Sequence, residues 1–222
     1  MCVDGGNLKS EEALAKIVQG VAKFQTEVYP AQRELFEQLK HGQQPIAMFF
    51  TCADSRIQPT VLLQSRPGEI FIERTPGNIA PKYSDHVGGV TASVEYALLA
   101  LHVPLIIVCG HTDCGVVKAL LEPERAAGMP ALQNWMRHSL ASRERLLREH
   151  RHAPTEEKMR RLTEYNVLTQ LENLETHPAV AAALSRGELA LRGWVYDIAA
   201  GSISAADARS GRFELLGHGT PE

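Results

Sequence analysis

The chain lacks any apolar run of about 18 residues, so the sequence predicts no transmembrane helix and no membrane partner. Met1 to Ser10 is polar and glycine-rich and lacks the apolar centre of a secretory signal, which makes a cytoplasmic location the expectation. Neither charge sign dominates. A net charge of −3 over 222 residues leaves no basic excess for nucleic acid or an anionic membrane surface. Cysteine is scarce as well: Cys2, Cys52, Cys109 and Cys114 are too few for a disulfide framework at this size. There is no C-x-x-C pair, and the nearest two, Cys109 and Cys114, are split by His111, which argues against a redox dithiol. Internal repeats, low-complexity tracts and linkers are absent too. What remains, at 44% hydrophobic and 22% charged, is the composition of an ordinary globular protein.

The apolar residues sort into helices and strands. Leu14, Ile17, Val18, Val21 and Phe24 give helical spacing over 11–26, and Leu35, Phe36 and Leu39 mark a second helix over 31–40. Ile46 to Thr51 is a continuous apolar run that reads as a buried strand ending at Cys52. Glu69 to Arg74 follows the turn signal Pro67-Gly68 as another strand, and 88–101 reads as a helix. Leu105 to Cys109 is the most apolar strand and runs into Gly110-His111; Val116 to Leu121 starts a helix. Residues 131–176 read as helical, with Ser142 to Lys158 polar on all sides and solvated. Leu189 to Tyr196 alternates as a strand, and Ser202–Ala206 with Arg212–Leu216 forms a hairpin around Ser210-Gly211. The pattern predicts an α/β fold with a mostly parallel central sheet flanked by helices, ending in an antiparallel hairpin. One domain over 1–222 is expected, with 1–42 as an N-terminal helical arm and 43–222 as the core and its extension.

Sites in such sheets form at the carboxyl ends of strands. Cys52 stands at one predicted strand end, and His111 and Cys114 form an H-x-x-C pair just after another. Two thiolates and one imidazole would fill three corners of a zinc tetrahedron and leave the fourth open, as catalytic zinc sites do. Taken singly, a cysteine after a buried strand is more often a small hydrophobe; Cys109, inside its apolar run, is read that way, and Cys2 as a free thiol. Asp54 and Arg56 follow Cys52 closely. An Asp beside an Arg stays ionised and can only accept hydrogen bonds, so the pair reads either as an acceptor held beside the metal or as a surface ion pair.

At these residues the sequence resembles the β-class carbonic anhydrases. The resemblance rests on Cys52-Ala53-Asp54-Ser55-Arg56, Arg74-Thr75-Pro76-Gly77-Asn78, Gly88-Gly89-Val90-Thr91-Ala92-Ser93-Val94-Glu95-Tyr96 and Val108-Cys109-Gly110-His111-Thr112-Asp113-Cys114-Gly115, and runs from about residue 14 to 216. It implies one Zn2+ per chain on Cys52, His111 and Cys114, and Asp54 and Arg56 as the catalytic dyad. It also implies Gln43, Phe71 and Tyr96 as substrate-binding residues, although Gln43 reads equally as a loop side chain and the two rings as core. The implied reaction is the reversible hydration of carbon dioxide to bicarbonate by hydroxide generated at the zinc. A homodimer, or a dimer of such dimers, is implied, with residues 11–26 as the arm that wraps the partner. Likeness to carboxysome-associated members over Glu164 to Leu174 adds a carboxysomal setting as an alternative to the plain cytoplasm.

The chain departs from the family pattern at Thr75-Pro76, where relatives carry Asn-Ala or Asn-Val, and at Phe49, where some carry a Trp that helps form an inhibitory bicarbonate site with the counterparts of Arg74 and Tyr196. That inhibitory pocket is expected to be absent or altered. His86 and His102 are proton-shuttle candidates by residue type alone. Two other functions stay open: a carbon disulfide or carbonyl sulfide hydrolase on the same scaffold, and a non-catalytic zinc protein whose fourth position is filled by Asp54.

Overall fold

The computed structural model describes residues 9–84, 88–207 and 209–217; Cys2 and His86 lie outside them. The chain divides into two compact units, 1–43 and 44–222. In the first, helix α1 (Ser10–Lys23) begins with the Lys9 N–H donating to the Glu12 carboxylate at 3.1 Å, the returning half of a capping box. Leu14, Ile17, Val18 and Val21 share one face of α1 through their three- and four-residue spacing, and no residue of the helix is buried. A wider turn, Phe24–Val28, leads towards α2 (Arg33–Leu39). The rings of Phe24, Tyr29 and Phe36 pack on one another with centroids 5.3 to 6.2 Å apart.

The second unit is built on a six-stranded sheet. Strand β1 (Ala47–Cys52) is buried at every residue, as its unbroken apolar run demands. It lies between β2 (Ile70–Thr75) and β3 (Leu105–His111); β4 (Ala190–Asp197) continues beyond β3, and all these neighbours pair in parallel. Strands β5 (Ser202–Ala206) and β6 (Phe213–Leu215) extend the sheet antiparallel, the hairpin turning at Gly211 with φ 66°. The order is β2-β1-β3-β4-β5-β6. The expected fold class therefore holds: a mostly parallel sheet, flanking helices and a terminal antiparallel hairpin.

Parallel neighbours need crossovers, and helices supply them. Helix α3 (Gly89–Glu95) joins β2 to β3. Helices α4 (Gly115–Leu121), α5 (Pro130–Met136), α6 (Leu140–Glu149), α7 (Thr155–Glu175) and α8 (Pro178–Ser185) lie between β3 and β4. Side chains alternate across the sheet. Met48 and Phe50 join Ile106, Val108, Val94, Val167 and Leu174 on one face, while Phe49, Ile107 and Cys109 pack with Trp194 on the other. Helix α7 comes unusually close to the sheet because β3 and β4 present glycines to it. A Cβ on Gly110 would stand 2.8 Å from Val167 Cγ2, and one on Gly193 2.9 Å from Val167 Cγ1.

The long helical stretch differs from its sequence reading. It is broken after α6, and Pro154, which cannot continue an upstream helix, stands at the N-cap of α7. Ser142 and Leu146 are fully buried, so α6 is not polar all round; Leu146 packs with Leu162 and Tyr165 of α7. Helix α8 was not anticipated. Strand β3 runs on through Gly110 to His111, which makes His111 a strand residue rather than a loop residue.

Candidate active site

Cys52 closes β1 and His111 closes β3, its parallel neighbour, so the sheet places them side by side. Cys114 follows as the N-cap residue of α4. The turn between His111 and Cys114 contains Asp113 at φ 62°, a left-handed position that Asp tolerates better than most residues. The ligating atoms of Cys52, His111 and Cys114 all lie within 4.8 Å of one another, and all three residues are buried. The two sulfurs are 4.0 Å apart. A tetrahedral zinc with Zn–S of about 2.3 Å separates two sulfurs by roughly 3.8 Å, so the pair stands nearly at its ligating separation.

His111 is set up to offer a lone pair. Its Nδ1–H donates to the Thr112 carbonyl at 2.8 Å. That fixes the tautomer and leaves Nε2 as the acceptor. Nε2 is buried and has no hydrogen-bond partner among the described residues. An orphaned imidazole nitrogen beside two buried sulfurs is the arrangement expected of residues that hold a soft or borderline cation. The sulfurs point the same way. The Cys114 thiol foremost, with His111 and the backbone N–H groups of Asp54 and Gly77, the last 3.3 Å from Cys52 Sγ, holds the Cys52 thiol below its ordinary range despite burial. The Cys52 sulfur in turn drives the Cys114 thiol up. A shared cation would remove that competition, since a coordinating thiol is deprotonated outright. Cys109, by contrast, is fully buried and pushed up to about 12 by desolvation, the inert hydrophobe the sequence suggested.

Asp54 stands at the open side of this cluster, its Oδ2 3.9 Å from His111 Nε2. Arg56 grips it through Nε to Oδ1 at 2.9 Å, Nη2 to Oδ2 at 2.7 Å and its own backbone N–H to Oδ1 at 3.0 Å. These bonds hold the Asp54 carboxyl well below the usual carboxylate range. Arg56 is itself anchored on Asp113, through Nη1 to Oδ2 at 2.9 Å and Nη2 to the backbone carbonyl at 3.2 Å, and Lys118 pairs with the same Asp113 carboxylate. Behind them Arg74 donates to the carbonyls of Cys52 at 3.0 Å and Asp54 at 2.6 Å, bracing the turn that carries both.

The other residues singled out in the sequence fall elsewhere. Phe71 and Tyr96 lie against each other, ring centroids 6.1 Å apart. Phe71 precedes Thr75, the partner of Cys52, by four strand residues, about 13 Å along β2. Gln43 belongs to the first unit and is exposed. His102 precedes β3, at the end of the strand opposite His111, about 20 Å away along it.

Comparison with known proteins agrees with this geometry. A sequence model described as carbonic anhydrase matches residues 47–203. The chain is 46% identical over 200 residues to a carbonic anhydrase of Pseudomonas aeruginosa, covering 90% of each. It is 40% identical over 195 residues to one of Synechocystis, covering 87% of this chain and 71% of that one. The solved structure of the β-carbonic anhydrase CcaA superposes with a TM-score of 0.89 at 39% identity, covering 93% of each chain. The chain belongs to the β-carbonic anhydrases. A tetrameric β-carbonic anhydrase of Sordaria macrospora also shares the fold, with a TM-score of 0.76 at 26% identity over 94% of this chain and 99% of that one. Among the described residues of this β-carbonic anhydrase, no helix is long and apolar enough to cross a membrane.

Sequence reading missed Asp113 and Arg74 as parts of this β-carbonic anhydrase site, although both stand inside the quoted motifs. It also did not anticipate that Trp135 of α5 and Asn166, Gln170 and Asn173 of α7 hydrogen bond the loop after β2. The last three are amides at helical spacing, which pattern alone assigns to a solvated face.

Proposed function

We propose that this chain catalyses the reversible hydration of carbon dioxide to bicarbonate and a proton, with one zinc ion held by Cys52, His111 and Cys114. The reading is carried by the buried, unpartnered Nε2 of His111 lying within 4.8 Å of two buried sulfurs. Zinc in such a setting lowers the pKa of bound water to about 7 and so makes hydroxide available near neutrality. The protein's own part falls to Asp54 and Arg56. An ionised Asp54 can only accept, so it takes the proton side of a reacting oxygen placed between itself and His111 and turns that oxygen's lone pair towards substrate. Arg56 keeps the carboxylate ionised and engages both its oxygens. That engagement supports an open fourth position, and so turnover, over a closed, purely structural zinc site.

Gln43, Phe71 and Tyr96 are proposed to contact substrate. Because Phe71 lies about 13 Å along β2 from the ligand-bearing end, a pocket role for it and Tyr96 is one played towards the site of a second copy. A homodimer or dimer of dimers is therefore part of the proposal, with α1 as the arm and its exposed apolar face as the surface a partner would cover. A cytoplasmic or carboxysomal setting is proposed from the cyanobacterial relatives in Synechocystis and Synechococcus elongatus.

The test couples metal content to carbon dioxide hydration from pH 6 to 9. Purified protein should carry one zinc per chain, lose activity on chelation and recover it with zinc. Turnover that survives complete metal removal would overturn the proposal.

A further inference from the structure

The loop after β2 has no regular ladder to hold it. Gly77 and Asn78 are consecutive left-handed residues, with φ 71° and 48°. Yet this loop carries the N–H that reaches Cys52 Sγ, at 3.3 Å from Gly77. Pro76 has no N–H of its own, so Gly77 is the first donor after the strand.

Side chains hold the loop instead. The peptide that presents the Gly77 N–H has the Pro76 carbonyl as its opposite edge, and Trp135 Nε1 donates to that carbonyl at 3.0 Å. The next carbonyl, Gly77 O, accepts from Asn166 Nδ2 at 2.9 Å. Gln170 Nε2 donates to Asn166 Oδ1 at 3.0 Å, which fixes the Asn166 amide with its NH2 towards the loop. Three residues on, Asn173 Nδ2 donates to Ala80 O at 2.8 Å and Gln170 Oε1 accepts from the Ala80 N–H at 2.9 Å. Asn166, Gln170 and Asn173 recur every three or four residues of α7 and are only 1%, 0% and 2% exposed, so this polar stripe serves the loop rather than solvent.

We infer that Trp135 and Asn166 are positioning residues for the metal ligand Cys52: they fix the Pro76–Gly77 peptide so that its N–H hydrogen bonds the Cys52 sulfur. Trp135, by donating to the Pro76 carbonyl, also polarises the Gly77 N–H on the other edge of the same peptide, while Asn166 fixes the carbonyl that follows. The hydrogen bond draws charge from the thiolate, which sets the energy of the sulfur-to-metal transition, and it also holds the sulfur in place and favours its deprotonated, ligating form. Partners of this kind, one step removed from the metal, typically change metal affinity 10- to 100-fold when lost. The inference rests on the metal-site reading above.

Cobalt(II) and cadmium-113 serve as probes in the full-length protein. Wild-type protein should bind one cobalt per chain and show thiolate-to-cobalt charge transfer in the near ultraviolet. Its absence would overturn the metal reading itself. With cadmium-113 bound, the Gly77 amide proton should couple to the metal through Cys52 Sγ, a readout that needs no variant. Trp135→Phe keeps a ring but removes the donor, and Asn166→Asp keeps the shape but not the donation. Each should move the charge-transfer band to longer wavelength and weaken zinc binding about tenfold. Asn173→Ser, which loosens the same loop at Ala80, should lower the melting temperature without moving the band. Bound metal without Gly77 coupling, an unmoved band in both variants, or an equal shift in Asn173→Ser would overturn the inference.

Discussion

Arg56 holds Asp54 along both edges of its carboxylate, at 2.9 Å to Oδ1 and 2.7 Å to Oδ2, and so leaves one oxygen 3.9 Å from His111 Nε2. The Asp54 side chain is 18% exposed and that of Arg56 42%, so as an ion pair the contact adds little to stability. Its value lies in geometry. Asp54→Asn keeps the shape but brings a donor to the place where only an acceptor serves. We expect zinc content near one per chain and a fall in kcat/KM of about 100-fold or more, within the range for a misassigned proton acceptor. Stopped-flow hydration beside metal analysis checks this; unchanged turnover rejects the role.

The pH consequence of Arg56 follows from the direction of the Asp54 shift. A depressed carboxyl stays ionised as pH falls through the ordinary carboxylate range, and its contribution to stability is lost only below that. Asp54 therefore sets neither limb of activity between pH 6 and 9. In Arg56→Ala the carboxyl returns upward towards about 3.9, still far below neutrality. Activity at pH 7.5 should nonetheless drop at least tenfold, because the acceptor is no longer held in place. A pH–rate profile separates the causes: a uniform loss supports orientation, whereas a loss confined to low pH would show that protonation was at fault.

Metal removal should be visible as lost stability. Cation binding at Cys52, His111 and Cys114 requires deprotonated thiols and couples to folding. At a free zinc concentration 100 times Kd the linkage contributes about 2.7 kcal/mol. For a chain of this size that corresponds to a drop of roughly 5–10 °C in Tm on chelation. In the metal-free protein the sulfurs of Cys52 and Cys114, 4.0 Å apart, form a coupled pair in which one thiol supports the other's thiolate. Alkylation followed by mass spectrometry should therefore mark this pair once the metal is removed, and Cys109, fully buried and pushed up to about 12, not at all in the native state. Labelling of Cys109 as fast as the pair would contradict this.

The parts of the molecule that were legible in the sequence share a physical reason. Strands β1 and β3 are short apolar runs buried on both faces, and the ligand trio sits at glycine-rich strand ends, so composition and position coincide. Helix α8 was not legible because an alanine-rich octet between Pro178 and Ser185 shows little periodic contrast. The loop-holding face of α7 misleads in the opposite way. Asn166, Gln170 and Asn173 have the spacing and polarity of a solvated stripe, yet they are buried because the loop after β2 brings them backbone partners from far away in the chain. Phe71 and Tyr96 show a further limit. Residue type suits them to an apolar pocket, but strand register, which sequence does not state, puts Phe71 far from the ligands.

The approach of α7 to the sheet gives a stability prediction independent of the metal. Gly110→Ala would set a Cβ 2.8 Å from Val167 Cγ2, and Gly193→Ala one 2.9 Å from Val167 Cγ1 and 3.1 Å from Leu171 Cδ1. Overpacking of this kind costs about 1–3 kcal/mol. Urea unfolding should show that loss in each variant. Val167→Ala, paired with Gly110→Ala, should recover part of it, because the two substitutions share one contact and are not additive. Full additivity would mean that the crowding does not arise at Val167.

The contacts of Arg74 give an expectation for the response to excess bicarbonate. Its Nε and Nη2 are already committed to the carbonyls of Cys52 and Asp54, at 3.0 and 2.6 Å. Phe49, packed edge-on against Trp194 with centroids 6.3 Å apart, offers no donor to an anion. An anion arriving there would have to share Arg74 with the turn that carries the proposed ligand and its acceptor, with nothing from Phe49 in compensation. We therefore expect no cooperative inhibition by bicarbonate at pH 8. Phe49→Trp, which supplies an indole N–H, should introduce a measurable sensitivity. A crystal soaked in bicarbonate that places the anion against Arg74 and Tyr196 in the unaltered protein would defeat the prediction.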